Sequence, residues 1–219
     1  MKFWMGMIIG TLVLIWPWGA ALAAGPIVLD GQFADWTGQP CVSDPQDGGT
    51  IGAFGDLKTF CFATNPGENT AYFMAERWPG AVWEIEYLLY VDIDGDGYVD
   101  RIVDVQYTPR RNNSRVRVDV YDGFGNFMQT IARNADWGES RTEGADLVEW
   151  GVPLSALGIS PGQTVDMVLA TSQTYLPILL DTSSIVTWSP ADALGVGILA
   201  AIVLSGVAWF TRLRRNMEG

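Results

Sequence analysis

Apolar and polar side chains alternate with a period of two along much of the middle of the chain. Residues 83–92 place an apolar side chain at every second position from Trp83 to Val91, and the run becomes apolar on both sides at Leu88 and Tyr90. Residues 102–107 and 115–121 repeat the alternation. A period of two is that of a β-strand, so each segment is predicted to form a strand with one face against a core.

Five further segments predict short strands, and turns that contain Gly or Pro separate them. Short strands between such turns are typical of an antiparallel sandwich, and the 25 glycines and 11 prolines of the chain fit this architecture. We therefore predict an all-β ectodomain, an antiparallel β-sandwich over residues 25–182, with one helical turn at residues 153–158. The five segments are residues 58–64, 71–76, 127–132, 147–152 and 164–171.

The first 24 residues have the pattern of a secretory signal peptide. Lys2 supplies a positive charge, residues 3–16 are apolar, and Ala21-Leu22-Ala23 forms a small-residue cleavage site. Cleavage is predicted before Ala24 or Gly25. An uncleaved signal anchor is the alternative.

Residues 193–211 predict a single transmembrane helix. The 18 residues from Ala193 to Phe210 carry no charge, and a helix of that length spans about 27 Å, close to the thickness of a bilayer core. The tail, residues 212–219, is basic, so the positive-inside rule predicts a cytoplasmic C-terminus and an outside ectodomain. Residues 183–192 would form a stalk. The alternatives are a sorting signal that an enzyme processes and a buried helix.

Charge and residue content exclude several classes of protein. The net charge is −12 and histidine is absent. Without histidine there is no Ser-His-Asp triad, Cys-His dyad, HExxH zinc site or His-ligated haem. The acidity argues against nucleic-acid binding, which uses a basic surface. A basic cluster predicts either a docking patch for an acidic partner or a solvated hairpin end; it consists of Arg110, Arg111, Arg115 and Arg117.

Cys41 and Cys61 lie in the segment predicted to be outside the membrane, where disulfides persist. A bond between them would close a loop of about 20 residues and contribute about 3 kcal/mol to stability. Two free thiols are the alternative, since the spacing excludes a CxxC redox motif.

Residues 92–100, with the sequence DIDGDGYVD, form the most specific motif in the chain. Carboxylates stand at positions 1, 3, 5 and 9 of a calcium-loop pattern, and Gly97 at position 6 permits a sharp bend. Val103 replaces the usual glutamate at position 12, and the motif lies between predicted strands. We therefore predict a DxDxDG calcium turn in a hairpin, with a solvated acidic turn as the alternative. The predicted ligands are Asp92, Asp94, Asp96, the carbonyl oxygen of Tyr98, and Asp100.

Two segments resemble a known family. Residues 27–36 have the sequence IVLDGQFADW, and residues 148–159 have the sequence VEWGVPLSALGI. The opening I-x-x-D-G-x-x-x-D-W and the closing E-x-x-x-P-L-S-x-L-G look like those of DOMON-like sandwiches, which include family-nine carbohydrate-binding modules. The resemblance covers most of residues 26–172. It implies a sandwich that binds sugar or haem, in which these two motifs are signatures of the fold.

Sugar binding requires exposed aromatic rings, and Trp78, Trp83 and Trp137 are the candidates. Each of these rings has a core position as its alternative. Haem is not expected, because the haem ligands of such domains resemble Met/His or Met/Lys pairs, and here only a pair such as Lys58 with Met74 remains.

Three functions follow from these features. The first is a membrane-anchored, calcium-stabilised, non-catalytic extracytoplasmic binding module that recognises glycan or a cell-envelope partner. The second is a structural or self-assembling envelope subunit. The third is a glycoside hydrolase that uses paired carboxylates. No catalytic constellation is evident in the sequence, so we expect the first.

Overall fold

The computed structural model describes residues 25–47, 55–79, 84–109, 114–139, 146–173 and 176–190. Within these ranges the chain forms eleven strands, a 3₁₀ turn at Phe33–Trp36 and one helical turn, α1 (Leu154–Leu157). The strands are β1 (Cys41–Ser43), β2 (Leu57–Thr64), β3 (Thr70–Arg77), β4 (Ile85–Asp92), β5 (Arg101–Thr108), β6 (Arg115–Asp122), β7 (Phe127–Ala135), β8 (Leu147–Pro153), β9 (Val165–Gln173), β10 (Leu176–Thr182) and β11 (Val186–Trp188).

The strands form two antiparallel sheets with a shared core between them. The small sheet has the order β1-β2-β3-β8, and the large sheet has the order β10-β9-β4-β5-β6-β7, with β11 also paired to β9. The ring of Trp150 on β8 stacks on Phe73 of the same sheet at 5.7 Å and on Tyr87 of the large sheet at 6.2 Å. The predicted all-β sandwich is confirmed.

The period-two pattern produces these strands because one face of each is buried. Every second residue of β4 from Ile85 to Val91 is fully buried, while Leu88 and Tyr90 on the other face are half-buried. The eight predicted segments correspond to β2 through β9, and the predicted helical turn corresponds to α1. Trp83, at the start of one predicted segment, lies outside the described residues.

The two segments that carry the family resemblance meet at the buried carboxylate of Glu149. Its Oε1 accepts hydrogen bonds from the backbone N–H groups of Asp30 and Gly31 at 2.9 and 2.8 Å, and its Oε2 accepts one from the indole N–H of Trp36 at 2.9 Å. Burial raises the pKa of Glu149, although these three hydrogen bonds act to lower it. The carboxylate thus joins the first segment of the domain to β8.

Cys41 and Cys61 form a disulfide, as predicted. They are directly opposed residues of β1 and β2, with their Cα atoms 4.0 Å apart. The bond attaches the three-residue strand β1 to the edge of the small sheet.

Residues 183–190, which the sequence predicted to be part of a stalk, instead belong to the sandwich. The backbone N–H of Ser183 donates to the carbonyl oxygen of Leu169 at 2.7 Å, and β11 pairs with β9. The ring of Trp188 lies 5.7 Å from Phe62 and 6.1 Å from Phe73. The stalk prediction was wrong here because the apolar contacts of a short strand are not visible in the linear pattern.

Among the described residues, no helix is long and apolar enough to cross a membrane. The predicted signal peptide, residues 1–24, lies outside the described residues. The same holds for the predicted span, residues 193–211, and for the basic tail, residues 212–219.

Candidate functional site

The acidic turn, residues 93–100, closes the hairpin between β4 and β5. The two strands pair without a register shift from Ile85 opposite Tyr107 to Val91 opposite Arg101. The backbone N–H of Asp100 donates to the Val91 carbonyl oxygen at 2.9 Å. The motif therefore joins two strands, as predicted.

Hydrogen bonds from the carboxylates to the backbone shape the turn. Asp92 Oδ1 and Oδ2 accept from the N–H groups of Gly95 and Gly97, each at 2.8 Å, and Asp100 Oδ2 accepts from the N–H of Ile93 at 2.8 Å. Gly97 has a φ of +86°, a conformation that costs glycine little. The turn is thus held in shape by the same side chains that were predicted to bind calcium.

Three of the predicted carboxylate ligands converge. Oxygen atoms of Asp92, Asp94 and Asp100 all lie within 4.8 Å of one another. Oxygen ligands of one calcium ion lie at about 2.3–2.6 Å from it and so within about 5 Å of each other, which matches this group. Asp96 is not part of the group, and its Oδ1 accepts from the N–H of Tyr98 at 2.8 Å. Val103, at position 12 of the pattern, is fully buried and supplies no ligand.

A second group of three carboxylates was missed in the sequence. Asp44 follows β1, Asp56 precedes β2 and Asp181 lies in β10, and their oxygen atoms also lie within 4.8 Å of one another. Asp181 Oδ2 accepts from the backbone N–H of Leu57 at 2.8 Å. Burial and the neighbouring Asp181 raise the pKa of Asp44 to about 6. No local motif reveals this group, because the sheet topology brings its members together.

The outer face of the large sheet, which points away from the core, carries an aromatic row. Cross-strand register places five side chains next to one another from β9 to β7. The ring of Phe127 is 57% exposed and lies 5.7 Å from that of Tyr121, edge to face. The other four side chains are half-buried. The aromatic row consists of Val168, Tyr90, Ile102, Tyr121 and Phe127.

Further along the strands, the same face carries a polar row, in which Asp104 and Asp119 lie about 7 Å from the aromatic row and the other members about 13 Å from it. Glu86, Gln106 and Arg117 are cross-strand neighbours. Asp104 and Asp119 are also directly opposed. The polar row consists of Glu86, Asp104, Gln106, Arg117 and Asp119. A row of rings therefore lies next to a row of hydrogen-bonding groups.

The two aspartates of the polar row are buried although they lie on the outer face. Asp104 is 7% exposed and Asp119 is 1% exposed. Asp119 accepts a hydrogen bond from Thr130 Oγ1 at 2.6 Å and pairs with the Arg117 guanidinium at 2.7 Å. Burial and the charge of Glu86, whose side chain shares a hydrogen bond with it, together raise the pKa of Asp104 to about 7. Asp104 therefore keeps its proton to a much higher pH than an ordinary aspartate does.

Replacing Asp104 with Asn is expected to stabilise the domain at alkaline pH. A carboxyl group with a raised folded-state pKa costs stability as the pH rises from about 4 to about 7, because the folded state holds the proton that the unfolded state releases. Asn keeps a donor toward Glu86 and does not ionise. The free energy of unfolding is measured with urea at pH 5 and at pH 8.5. We expect the difference in this free energy between the variant and the native chain to be about 1–2 kcal/mol larger at pH 8.5 than at pH 5. A gain that is the same at both pH values, or one matched by Glu84→Gln, would contradict the raised pKa.

Among the described residues, the candidates Trp78 and Trp137 are less exposed than several other aromatic rings. Trp78 is half-buried, with the Lys58 ammonium 5.4 Å from its ring centre. Trp137 is half-buried and packs against the main core. Trp83 lies outside the described residues. Exposed aromatic rings are found instead at Tyr98, Phe124 and Phe127, which are 77%, 95% and 57% exposed.

The remaining predicted site residues also have defined positions. Arg115 is exposed at the start of β6, Arg117 is paired with Asp119 in the polar row, and Arg110 and Arg111 lie outside the described residues. Lys58 Nζ lies 2.6 Å from Glu76 Oε1, and Met74 is buried in a small cluster with Ile27 and Trp36. We do not propose a haem site at Lys58 and Met74.

Comparisons of the chain with protein-family models, with curated proteins and with solved structures found no match.

Proposed function

We propose that the chain is a membrane-anchored, extracytoplasmic, non-catalytic binding module that recognises glycan on the outer face of its large sheet. The observation that carries the proposal is the aromatic row beside the polar row. Tyr90 and Tyr121 lie on strands two apart, at a spacing of about 10 Å. Ring faces next to hydrogen-bonding groups suit a sugar, which has an apolar face and a rim of hydroxyls.

The acidic turn supports this function by binding calcium in a structural role. The convergence of Asp92, Asp94 and Asp100 favours a hard cation with oxygen ligands. Asp92 follows Tyr90 on the same face of β4, so an ordered turn would fix the end of the strand that carries the aromatic row. Extracellular calcium modules bind with dissociation constants of about 10⁻⁴–10⁻³ M, so a site with few protein ligands is sufficient.

The location outside the cytoplasm is supported by three independent features. The disulfide between Cys41 and Cys61 suits an oxidising compartment. Residues 1–24 have the pattern of a secretory signal, and residues 193–211 have the length and apolar character of a membrane span followed by arginines.

The geometry favours neither of the other two functions. Carboxylate pairs of glycoside hydrolases stand about 5 Å or more apart, whereas Glu86 and Asp104 share a hydrogen bond.

Self-assembly through the edge strand β7 would require a regular strand. The pairing of β7 with β6 has three register shifts, and Asn134 has a φ of +59°; such irregularities discourage pairing at an edge.

A glycan array probed with the full chain in detergent tests the proposal. We expect binding to at least one class of glycan in millimolar calcium and weaker binding in chelator, because a loosened acidic turn would disorder the end of β4. A Tyr121→Ala chain on the same array is expected to lose the signal. A Phe124→Ala chain is expected to keep it, because Phe124 is 95% exposed in the turn between β6 and β7 and the described residues that line its cleft include none of the aromatic row. No binding to any glycan by the native chain would contradict the proposal.

A further inference from the structure

The last described residues of the chain lie at the end of the sandwich that carries the acidic turn. Trp188 of β11 pairs with Val165, at the start of β9, and the next residue of β9, Asp166, pairs with Asp92, at the end of β4. The carbonyl oxygen of Pro190 accepts a hydrogen bond from the N–H of Gly162 at 2.7 Å. The last described residue therefore lies at the same end of the large sheet as the acidic turn.

The loop before β9 also contacts the acidic turn directly. Gln163 Nε2 donates to the carbonyl oxygen of Ile93 at 3.1 Å, one residue beyond Gly162. The predicted membrane span begins at residue 193, three residues after Pro190. Three extended residues reach at most about 11 Å. A chain anchored by that span would thus hold the acidic-turn end of the sandwich within about 11 Å of the bilayer surface.

Exposed apolar side chains concentrate at this same end. Phe124, in the turn between β6 and β7, is 95% exposed, and Tyr98 and Val99 of the acidic turn are 77% and 38% exposed. Ile185, just before β11, is 72% exposed. We call these four side chains the apolar tip. Large apolar groups that face water in this way mark an interaction surface.

The two turns that carry the apolar tip are packed against each other. A Cβ atom at Gly123 would lie only 1.7 Å from the carbonyl oxygen of Val99, so only glycine allows this approach. A cleft of about 800 Å³ is lined by both turns, including Tyr98 and Phe124. Tyr98 and Ile185 also line a neighbouring cleft of about 210 Å³. The apolar tip is therefore one surface built from adjacent turns.

We propose that the apolar tip rests on the outer surface of the bilayer that residues 193–211 enter, with Tyr98 and Phe124 in the headgroup region. The inference rests on the membrane anchoring proposed above. Amphipathic aromatic side chains such as tyrosine are favoured at the membrane–water interface, because the ring is apolar and the hydroxyl group is polar. The predicted span begins three residues after Pro190, so it would bring the bilayer to this end of the domain. We therefore assign the bilayer as the surface that the apolar tip contacts.

On an anionic lipid surface, this contact would require calcium. Asp94 and Asp96 are exposed in the acidic turn, and Asp122 adjoins Phe124 in the next turn. Carboxylates near an anionic lipid surface are repelled, and bound calcium would neutralise those of the acidic turn. The strands would then rise from the membrane, which leaves the outer face of the large sheet open to a glycan.

Lipid quenching of a single fluorophore tests the contact. Cys41 and Cys61 are joined to each other, so one introduced cysteine can be labelled specifically. The full chain carrying Phe124→Cys is placed in nanodiscs of phosphatidylcholine and phosphatidylglycerol that contain nitroxide-labelled lipid. Tyr98→Cys is the second test position. Arg115→Cys is the matched control, because it is exposed at the opposite end of β6, about 23 Å from the apolar tip.

In calcium, labels at positions 124 and 98 are expected to lose most of their emission, and the label at position 115 is expected to keep it. Chelator should restore the emission at both test positions. Equal quenching at all three positions, or none at positions 124 and 98 in chains that stay in the disc, would overturn the contact and leave the anchoring intact. Quenching that is unchanged by chelator would overturn the calcium requirement. Chains that do not enter the disc at all would overturn the anchoring and the contact together.

Discussion

Replacing Glu149 with Gln is expected to lower the free energy of unfolding by about 3 kcal/mol, which corresponds to a fall in Tm of about 6–12 °C for a domain of this size. The carboxylate accepts hydrogen bonds from three donors, the N–H groups of Asp30 and Gly31 and the indole N–H of Trp36. An amide has one acceptor oxygen, and its NH₂ group would face a donor. At least one buried N–H would then lose its partner, which costs about 1–3 kcal/mol in addition to the lost charge-assisted bonds.

Glu84→Gln is the matched control for this substitution. Glu84 precedes β4 and is half-buried, so the same chemical change there should alter the Tm by no more than a degree or so, as at an ordinary surface position. Both variants are compared with the native chain by thermal unfolding at pH 7. Equal Tm values for the Glu149 variant and the native chain would show that the carboxylate does not join the first segment to β8.

Removing calcium is expected to produce the second large effect. With a dissociation constant of about 10⁻⁴–10⁻³ M, calcium at about 10 mM is present at roughly ten to a hundred times that constant and stabilises the folded state by about 1.4–2.7 kcal/mol, or about 3–10 °C in Tm for a domain of this size. We therefore expect the Tm of the native chain to rise with calcium and to fall in chelator. Asp94→Asn should abolish most of this response, because it removes one of the three converging carboxylates but keeps an acceptor for the N–H of Asp96.

Asp122→Asn is the control for the calcium experiment. Asp122 is the corresponding carboxylate of the neighbouring turn, but its oxygens accept hydrogen bonds from Phe124 and Asn126 and are not among the converging group. Hydrogen bonds from Asn126 hold its pKa below the usual range. The calcium response of this variant should match that of the native chain. A calcium response that survives Asp94→Asn and is lost in Asp122→Asn would place the ion in the turn between β6 and β7 and contradict the site in the acidic turn.

Most strands could be predicted because burial on one face produces a local pattern. Val116, Val118 and Val120 of β6 are fully buried, and their spacing is visible in the sequence. The pattern missed β1, and it missed β10 and β11 for a physical reason. Residues 176–180 are apolar without alternation and include Pro177, and β11 has three residues. Both become strands by pairing with β9, and such a long-range contact has no local signal.

The same distinction applies to the sites. The acidic turn could be predicted because its ligands lie within nine residues and the spacing itself brings Asp92, Asp94 and Asp100 together. The polar row could not be predicted, because Asp104 and Asp119 become neighbours only through the register of β5 and β6. The alternation of residues 115–121 predicted that Asp119 points outward, which is correct, but the burial of both aspartates depends on the side chains of adjacent strands.

The central claim is that the aromatic row of the outer face is a glycan-binding surface, and one titration tests it most directly. The glycan with the strongest array signal is titrated calorimetrically in calcium into the native, Tyr121→Ala and Phe124→Ala chains. We expect Tyr121→Ala to weaken the affinity at least about tenfold, equivalent to about 1.4 kcal/mol, while Phe124→Ala leaves it unchanged. Unchanged affinity in Tyr121→Ala would contradict the claim, and a loss in Phe124→Ala instead would assign the ligand to the apolar tip.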